Sequence, residues 1–541
     1  MQARNTSLFL VALLVSIGVQ AQPGGRNAAR KLQMAEFAIA NLYVDTVNEG
    51  RLVEKAIVAM LGDLDPHSVY NNAEEVKKMN EPLEGNFEGI GVQFQMVEDT
   101  LLVIQPVSGG PSEKAGIAAG DRITAVNGAP IAGVKMSTDE IMSRLRGPKG
   151  TTVNLTVVRR EVKAPLAFTV KRDKIPIHSL DAAYMIQPRT GYIRVNRFSA
   201  TTTEEFLAAL QKLQKAGMRS LILDLQGNGG GLLNAATEMA EQLLDEGELI
   251  VYTEGRRAGR NDFKAKGNGH FRNGELVVLV DEYSASASEI VTGAVQDWDR
   301  GVVVGRRTFG KGLVQRAIPL EDGSMIRLTV ARYYTPSGRC IQKPYEAGDG
   351  EGKEEYAYDL VERFNRGEMM HADSIHFPDS LKYSTLKLHR TVYGGGGIMP
   401  DYFVPLDTAR YTDYHRALAA QGIINKSVTK YVEQQRKTLQ ARYKTFAPYR
   451  DGFEVPDTLL DDLLAEAGEA GIAFDRAQYE RSLPLIKNQL KALIARDLWD
   501  ISEYYEVINR TDESVQQALK LLDERRYNDL LSTTVRRTAT D

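Results

Sequence analysis

Ser286 and Lys311 stand 25 positions apart, the first in DEYSASASEIVTGAV and the second in RRTFGKGLVQ. A serine hydroxyl is a weak nucleophile until a neighbouring base takes its proton, and a lysine can be that base only when its own amine is neutral. A free lysine titrates near ~10.4, so work at neutral pH needs that value lowered by roughly three, about 4 kcal/mol. Desolvation is the usual means, because burial disfavours the charged form. Gln315 follows Lys311 by four residues, where its amide oxygen can hold the amine toward the serine.

Each residue also has an ordinary duty. Ser286-Ala287-Ser288-Glu289 fits the S-x-x-E capping box, in which the serine caps a helix and the glutamate reaches back. Ser284 and Ser288 compete for the nucleophile role on composition alone, and most lysines are solvated surface charges.

The elements around the pair favour chemistry. Residues 275–280, ELVVLV, read as a buried strand, and 281–283 turn the chain. Ile290, Val291, Ala294, Val295 and Trp298 then recur at helical spacing, so Ser286 falls at a strand-to-helix junction. The free N–H groups and positive dipole end of a helix start favour developing negative charge. Gly310 and Gly312 flank Lys311 ahead of an alternating run at 313–320, and such glycines let neighbouring backbone pass close. A second strand, SLILDL at 220–225, ends in the glycine-rich turn QGNGGG before an amphipathic stretch at 235–244. Neither G-x-x-x-x-G-K-[ST] nor G-x-G-x-x-G is present, which argues against nucleotide binding.

SASASEIVTGAVQDW followed by GRRTFGKGLVQ resembles the signature of the carboxy-terminal processing (tail-specific) proteases, a family of Ser/Lys endopeptidases, over about residues 43–406. The resemblance implies Ser286 as nucleophile in preference to Ser284 and Ser288, Lys311 as general base and Gln315 as the group that orients it. The family phrase resembling DLRNNPGG falls on the glycine turn. It implies an oxyanion hole made by the backbone of Gly230, with Gly231 as the neighbouring choice, and of Ala287. Gln226, Gly227 and Gly229 depart from the family's Arg, Asn and Pro, which implies a looser turn.

Residues 86–172 carry phrases in an order that resembles a PDZ domain. Gly89-Ile90-Gly91-Val92 opens a strand, SEKAGI a short helix, GDRI and VNG a strand and turn, 137–145 a second helix, and RGPKG leads to a closing strand at 152–159. Such a domain takes a chain terminus as an added strand and holds its carboxylate on backbone N–H groups, here those of Gly89, Ile90, Gly91 and Val92. Arg146 is either a helper charge or an exposed helix end.

With 541 residues, several domains are expected, and 43% hydrophobic residues suffice for real cores. A formal net charge of −4 gives no footprint for nucleic acid. Arg4, an apolar run at 8–19 and Val19-Gln20-Ala21 read as a signal peptide cleaved after Ala21, so the mature chain is expected to be exported, periplasmic or otherwise extracytoplasmic, and soluble. Cys340, the only cysteine, reads as an inert thiol. A Ser-His-Asp hydrolase would need one of seven histidines and G-x-S-x-G, and a zinc hydrolase would need H-E-x-x-H; no metal or organic cofactor is implied.

The expected architecture is a multidomain α/β chain. A signal peptide (1–21) precedes an N-terminal helical region (26–85), a PDZ domain (86–172), a mixed α/β core of crotonase-like type (173–407) and a helical C-terminal region (408–541). That last region is open between an adaptor-binding or self-association element and a solvated appendage. The expected function is a serine endopeptidase that processes or degrades exported proteins after recognising their apolar C-termini. The runner-up is a catalytically impaired PDZ scaffold.

Overall fold

The computed structural model describes residues 25–160, 162–346, 350–524 and 526–532, and the expected signal peptide lies outside them. Six strands form the central sheet in the order Leu180–Gln187, Thr190–Val195, Ser220–Asp224, Glu275–Val280, Val302–Gly305 and Tyr402–Phe403. The first pair is antiparallel and every later neighbour is parallel. Parallel strands are buried on both faces, which is why ELVVLV is apolar without a break.

The two faces split that run by alternation. Leu276, Val278 and Val280 pack toward the helices Thr202–Lys215, Leu233–Glu241 and Ala287–Asp297. Val277 and Leu279 pack the other way, against Val515, Ala518, Leu519, Tyr527 and Leu530 of the helices Glu513–Asp523 and Tyr527–Ser532. The chain's last described helices therefore cover the second face of the central sheet, and the solvated-appendage expectation fails for them. The helices Asp413–Ala420 to Ile501–Ile508 have a core of their own. One of them, Ile423–Arg442, touches the 86–172 module: Arg122 meets Glu433 at 3.0 Å, and Arg436 donates to the Ile104 carbonyl.

In that module an antiparallel sheet runs Val92–Val97, Thr100–Pro106, Arg122–Val126, Thr152–Val158, Leu166–Lys171. Ser137 and Glu140 form the capping box of the helix Thr138–Leu145, whose Ile141 and Leu145 enter the core beside Ile90. Val92–Val97 is an edge strand, and Asn86–Gly89 pairs with Asp173–Pro176 to close the module's neck.

The N-terminal region departs from an all-helical reading. Helices occupy Gly25–Leu42, Glu49–Gly62 and Ala73–Glu84, but Val69–Asn71 is a strand paired with Met325–Tyr334. Three residues are too few to show a period of two, and the pairing partner lies far along the chain. Met325–Tyr334 is the hub of a second sheet, with Leu313–Pro319 along one side and Leu249–Gly255 at its far end.

Three adjacent strands of the central sheet end side by side. Ser220–Asp224 runs into the glycine turn, Glu275–Val280 into the Ser286 turn, and Val302–Gly305 into the Lys311 loop. Carboxyl ends of parallel strands are where open α/β sheets gather their reactive groups. The interval between Ser286 and Lys311 is thus one helix, Ala287–Asp297, and one returning strand.

Candidate active site

Ser286 precedes its helix with φ 56° and ψ −111°, not the extended geometry of an ordinary cap. Positive φ in a residue with a side chain costs of order 1–3 kcal/mol and persists only where surroundings hold it. Here the hold is visible. Ser286 N–H donates to Glu289 Oε2 at 2.8 Å, Ile290 N–H donates to the Ser286 carbonyl, and the Tyr333 hydroxyl faces that same carbonyl at 3.0 Å. The reach-back half of the capping box is therefore present, on a serine whose backbone is strained.

Glu289 does more than reach back. Its carboxylate also accepts from Thr308 Oγ1 at 2.6 Å, Gly310 N at 2.8 Å and Lys311 N at 2.9 Å. Complete burial raises its pKa to about 7 against the pull of those donors. One buried carboxylate thereby ties the serine turn to the lysine loop. Tyr333 repeats the tie, because its hydroxyl also bonds the Lys311 carbonyl.

Lys311 is part-buried, and its amine has no ion-pair partner among the described residues. Burial first, and the nearby Arg327 charge second, lower its pKa from 10.5 to about 8, while Glu289 and Asp65 pull the other way. The shift is somewhat smaller than the sequence argument required and has the same sign. Cys340, also part-buried, has its thiol pKa raised by burial, in keeping with an inert group.

Ser286, Ala287, Gly231, Gln315 and Arg327 line one pocket of about 270 Å³. Leu232, Ile290, Leu313 and Met325 give it apolar walls, and Met79, Asn80 and Leu83 of the helix Ala73–Glu84 close it from the N-terminal region. Gln315 follows a bulge in the pairing of Leu313–Pro319 with Met325–Tyr334, a device that re-aims side chains beside reactive sites. Its Nε2 donates to Thr329 Oγ1 at 3.3 Å.

The glycine turn separates its two expected donors. Gly230 N–H, the first expected oxyanion donor, is engaged by Asn228 Oδ1 at 2.9 Å. Gly231, the neighbouring choice, lines the pocket, and its N–H carries no hydrogen bond among the described residues. Gly230 instead gives close approach: a Cβ there would stand 2.8 Å from Ser286 Cβ. The turn is also less loose than its composition implies. Asp281 Oδ1 accepts from Gly227 N, Asp224 Oδ1 from Gln226 N, and the buried Asn228 bonds the Val195 carbonyl.

In the 86–172 module, Gly89 ends the strand Asn86–Gly89, and Ile90 and Gly91 turn into the edge strand that begins at Val92. The Ile90 carbonyl is held by Ser112, and Gly91 has φ 72°. Arg146 is neither a free helper nor an exposed helix end. It pairs with Glu81 at 2.5 Å and lies over the Phe87 ring.

Residues 189–348 match Peptidase family S41, 89–171 match a PDZ domain and 414–500 match a family of unknown function. The carboxy-terminal-processing protease of Bartonella bacilliformis is 37% identical over 347 residues, covering 62% of this chain and 78% of that protein. The chain belongs to the carboxy-terminal processing protease family. Carboxy-terminal processing protease CtpA of Bacillus subtilis is 35% identical over 342 residues, 63% of this chain and 72% of the relative. Among solved structures, the photosystem II D1 C-terminal processing protease is 30% identical and covers 58% of this chain and 90% of that one, with a TM-score of 0.33. As a carboxy-terminal processing protease the chain is a serine peptidase with a PDZ domain.

Several groups around this processing protease's site carry no local signal in the sequence. Asn228, Tyr333, Arg327 and Thr329 look like ordinary turn and strand residues until the fold assembles them. His67 is part-buried, bonded through Nε2 to the Tyr356 hydroxyl, with its pKa lowered to about 4 by burial and then by the Lys311 charge. An imidazole lowered that far is neutral at physiological pH.

Proposed function

We propose that the chain is an endopeptidase in which Lys311 and Ser286 form the catalytic dyad. Lys311 Nζ, neutral in a useful fraction near pH 8, takes the Ser286 Oγ proton as Oγ attacks the scissile carbonyl carbon. The N–H groups of Ala287 and Gly231 receive the oxyanion. As the C–N bond breaks, the lysine proton passes to the leaving amine, and a water then releases the acyl group with Lys311 again as base. Gln315 orients the lysine. The PDZ domain captures an apolar protein C-terminus by adding it to the edge strand Val92–Val97 and seating its carboxylate on the Gly89–Val92 turn. Its substrates are exported proteins, met outside the cytoplasm after removal of the 1–21 segment.

The observation that carries this reading is the Lys311 environment: a part-buried amine, unpaired among the described residues, with its pKa lowered to about 8 and its backbone tied through Glu289 to that of Ser286. A surface lysine has none of these features. The test incubates the full chain, Ser286→Ala and Lys311→Ala with a denatured, fluorescently labelled protein that ends in an apolar C-terminus. Cleavage by the unaltered chain alone is expected. Activity in either variant removes the dyad, and binding of the C-terminal peptide without any cleavage would favour the scaffold.

A further inference from the structure

We propose that Asp65 and Thr329 are positioning residues for the base, acting by fixing which end of the Gln315 amide faces Lys311. The inference rests on the dyad reading above and adds a cause for the geometry of its third member.

A carboxylate only accepts hydrogen bonds. Asp65 is buried, and four donors converge on it: His67 N at 2.9 Å and Ser68 N at 3.1 Å on Oδ1, Ser68 Oγ at 2.5 Å on Oδ2, and Thr329 Oγ1 at 2.9 Å on Oδ1. The Thr329 hydroxyl has one proton, and Asp65 takes it. Only lone pairs remain on that oxygen, so whatever part of Gln315 meets Thr329 must donate. The amide therefore presents Nε2 to Thr329, and Oε1 is left at its other end as an acceptor for an amine.

The frame around this relay is fixed from two sides. Thr329 N–H donates to Ser68 Oγ at 3.1 Å, which docks the strand Met325–Tyr334 on the segment that holds Asp65. Gln315 pairs across the bulge with Thr329 in register. Gln315 lines the Ser286 pocket beside Leu313 and Val314, and Lys311 lies two residues before that strand begins. With a carboxamide flipped the other way, an NH2 group would face the amine, and two donors would oppose each other. The phrase LGDLDPHS at 61–68, otherwise a packing segment, thus sets the polarity of the site from some 250 positions upstream.

The test is kinetic and uses the full chain with a quenched-fluorescence peptide substrate. Thr329→Val keeps the side-chain shape and removes the hydroxyl. We expect kcat to fall about 10- to 100-fold, the scale of a misaligned reacting group, with KM within about two-fold. Thr329→Ser restores kcat. Asp65→Ala, which removes the acceptor and lets the Thr329 hydroxyl turn its proton toward Gln315, lowers kcat likewise; it also stands in if Thr329→Val lacks a cooperative thermal transition. In a Gln315→Ala background Thr329→Val changes nothing further, because its effect passes through Gln315. Additive losses, or unchanged kcat in Thr329→Val and Asp65→Ala while Gln315→Ala is impaired, would overturn the relay and leave the dyad standing. Full activity in Gln315→Ala would remove the glutamine from the site and the relay with it.

Discussion

Glu289 meets Lys311 through the main chain: its carboxylate accepts the Lys311 backbone N–H at 2.9 Å, and its charge reaches the lysine amine only from beyond ion-pair distance. The same carboxylate holds Ser286 N–H at 2.8 Å, so serine and lysine are indexed to one buried group. All four of its contacts need an acceptor. Glu289→Gln supplies one oxygen and one donating NH2, leaving buried N–H groups unpaired at about 1–3 kcal/mol each. We expect the variant to lose about 3 kcal/mol of unfolding free energy and most of its turnover, read by urea titration and peptide cleavage. Wild-type stability would show that the four contacts are dispensable.

Burial of the Lys311 ammonium works against folding, and the sign gives a sharp outcome. Its folded pKa, about 8, lies below 10.5, so the folded state resists the charge at every pH below about 8. That penalty, roughly 3 kcal/mol by the difference in pKa, fades as pH rises from 8 to 10.5, where only the unfolded chain keeps the proton. Lys311→Met is therefore expected to be inactive yet more stable at pH 7, by up to about 3 kcal/mol, with the gain gone near pH 10.5. Denaturant unfolding at the two pH values reads it. A destabilised Lys311→Met at pH 7 would mean that the amine is not desolvated.

Much of this site was legible in the sequence, and the remainder fails for physical reasons. The Ser286 turn reads easily because a buried strand and a helix both leave local periodicity, and Lys311 follows because one helix and one strand separate the two. Which glycine N–H is free cannot be read from residue type, since Asn228 decides it by bonding Gly230. Asp65 and Thr329 lie far from the motif, and only sheet pairing brings them to Gln315. One signal was available but unused. A run as apolar as ELVVLV needs cover on both faces, and the amphipathic residues of Glu513–Asp523 were the cover.

Arg327 offers a way to move the base without touching it. It lines the Ser286 pocket, donates to Met79 Sδ at 3.1 Å, and is the second cause of the lowered Lys311 pKa. Activity that requires a neutral lysine rises with pH up to about 8 and levels above it. Arg327→Met removes the like charge, so the lysine holds its proton to higher pH and the whole rise is displaced upward. The kcat/KM profile from pH 6 to 10 measures this. A displacement to lower pH, or none, contradicts the electrostatic account.

The glycine turn separates positions that need glycine from one that tolerates a side chain. Gly230 has φ 103°, and an added Cβ would meet the Ala285 carbonyl oxygen and Ser286 Cβ at 2.8 Å each. Gly230→Ala is expected to abolish cleavage and to cost about 3 kcal/mol or more, from strain and contact together. Gly227 has φ 71°, in the region asparagine visits readily, and its nearest neighbour for a Cβ is 3.7 Å away on Arg194. Gly227→Asn, which restores the family residue, should stay within about 1 kcal/mol and keep activity. Thermal melts with turnover assays compare the pair, and equal damage at both positions would refute the distinction.

The contact between the PDZ domain and the helix Ile423–Arg442 is ionic at its centre. Glu433 accepts from Arg122 Nε at 3.3 Å and from its terminal nitrogen at 3.0 Å, while Arg160 donates to the Glu433 carbonyl. Both side chains of the pair are about a quarter or less exposed, so solvent and salt screen it only in part. Glu433→Lys places two cations face to face and should loosen the docking while leaving each core intact. Hydrogen exchange at Leu102 to Ile104, the PDZ strand segment beside this helix, is then expected to quicken, and global stability to change by no more than about 1 kcal/mol. The same helix also reaches the edge strand Val92–Val97, where the Thr429 hydroxyl donates to Gln95 Oε1, so exchange at Gln95 is expected to quicken as well. Unchanged exchange in that segment would show that the ion pair does not hold the domain.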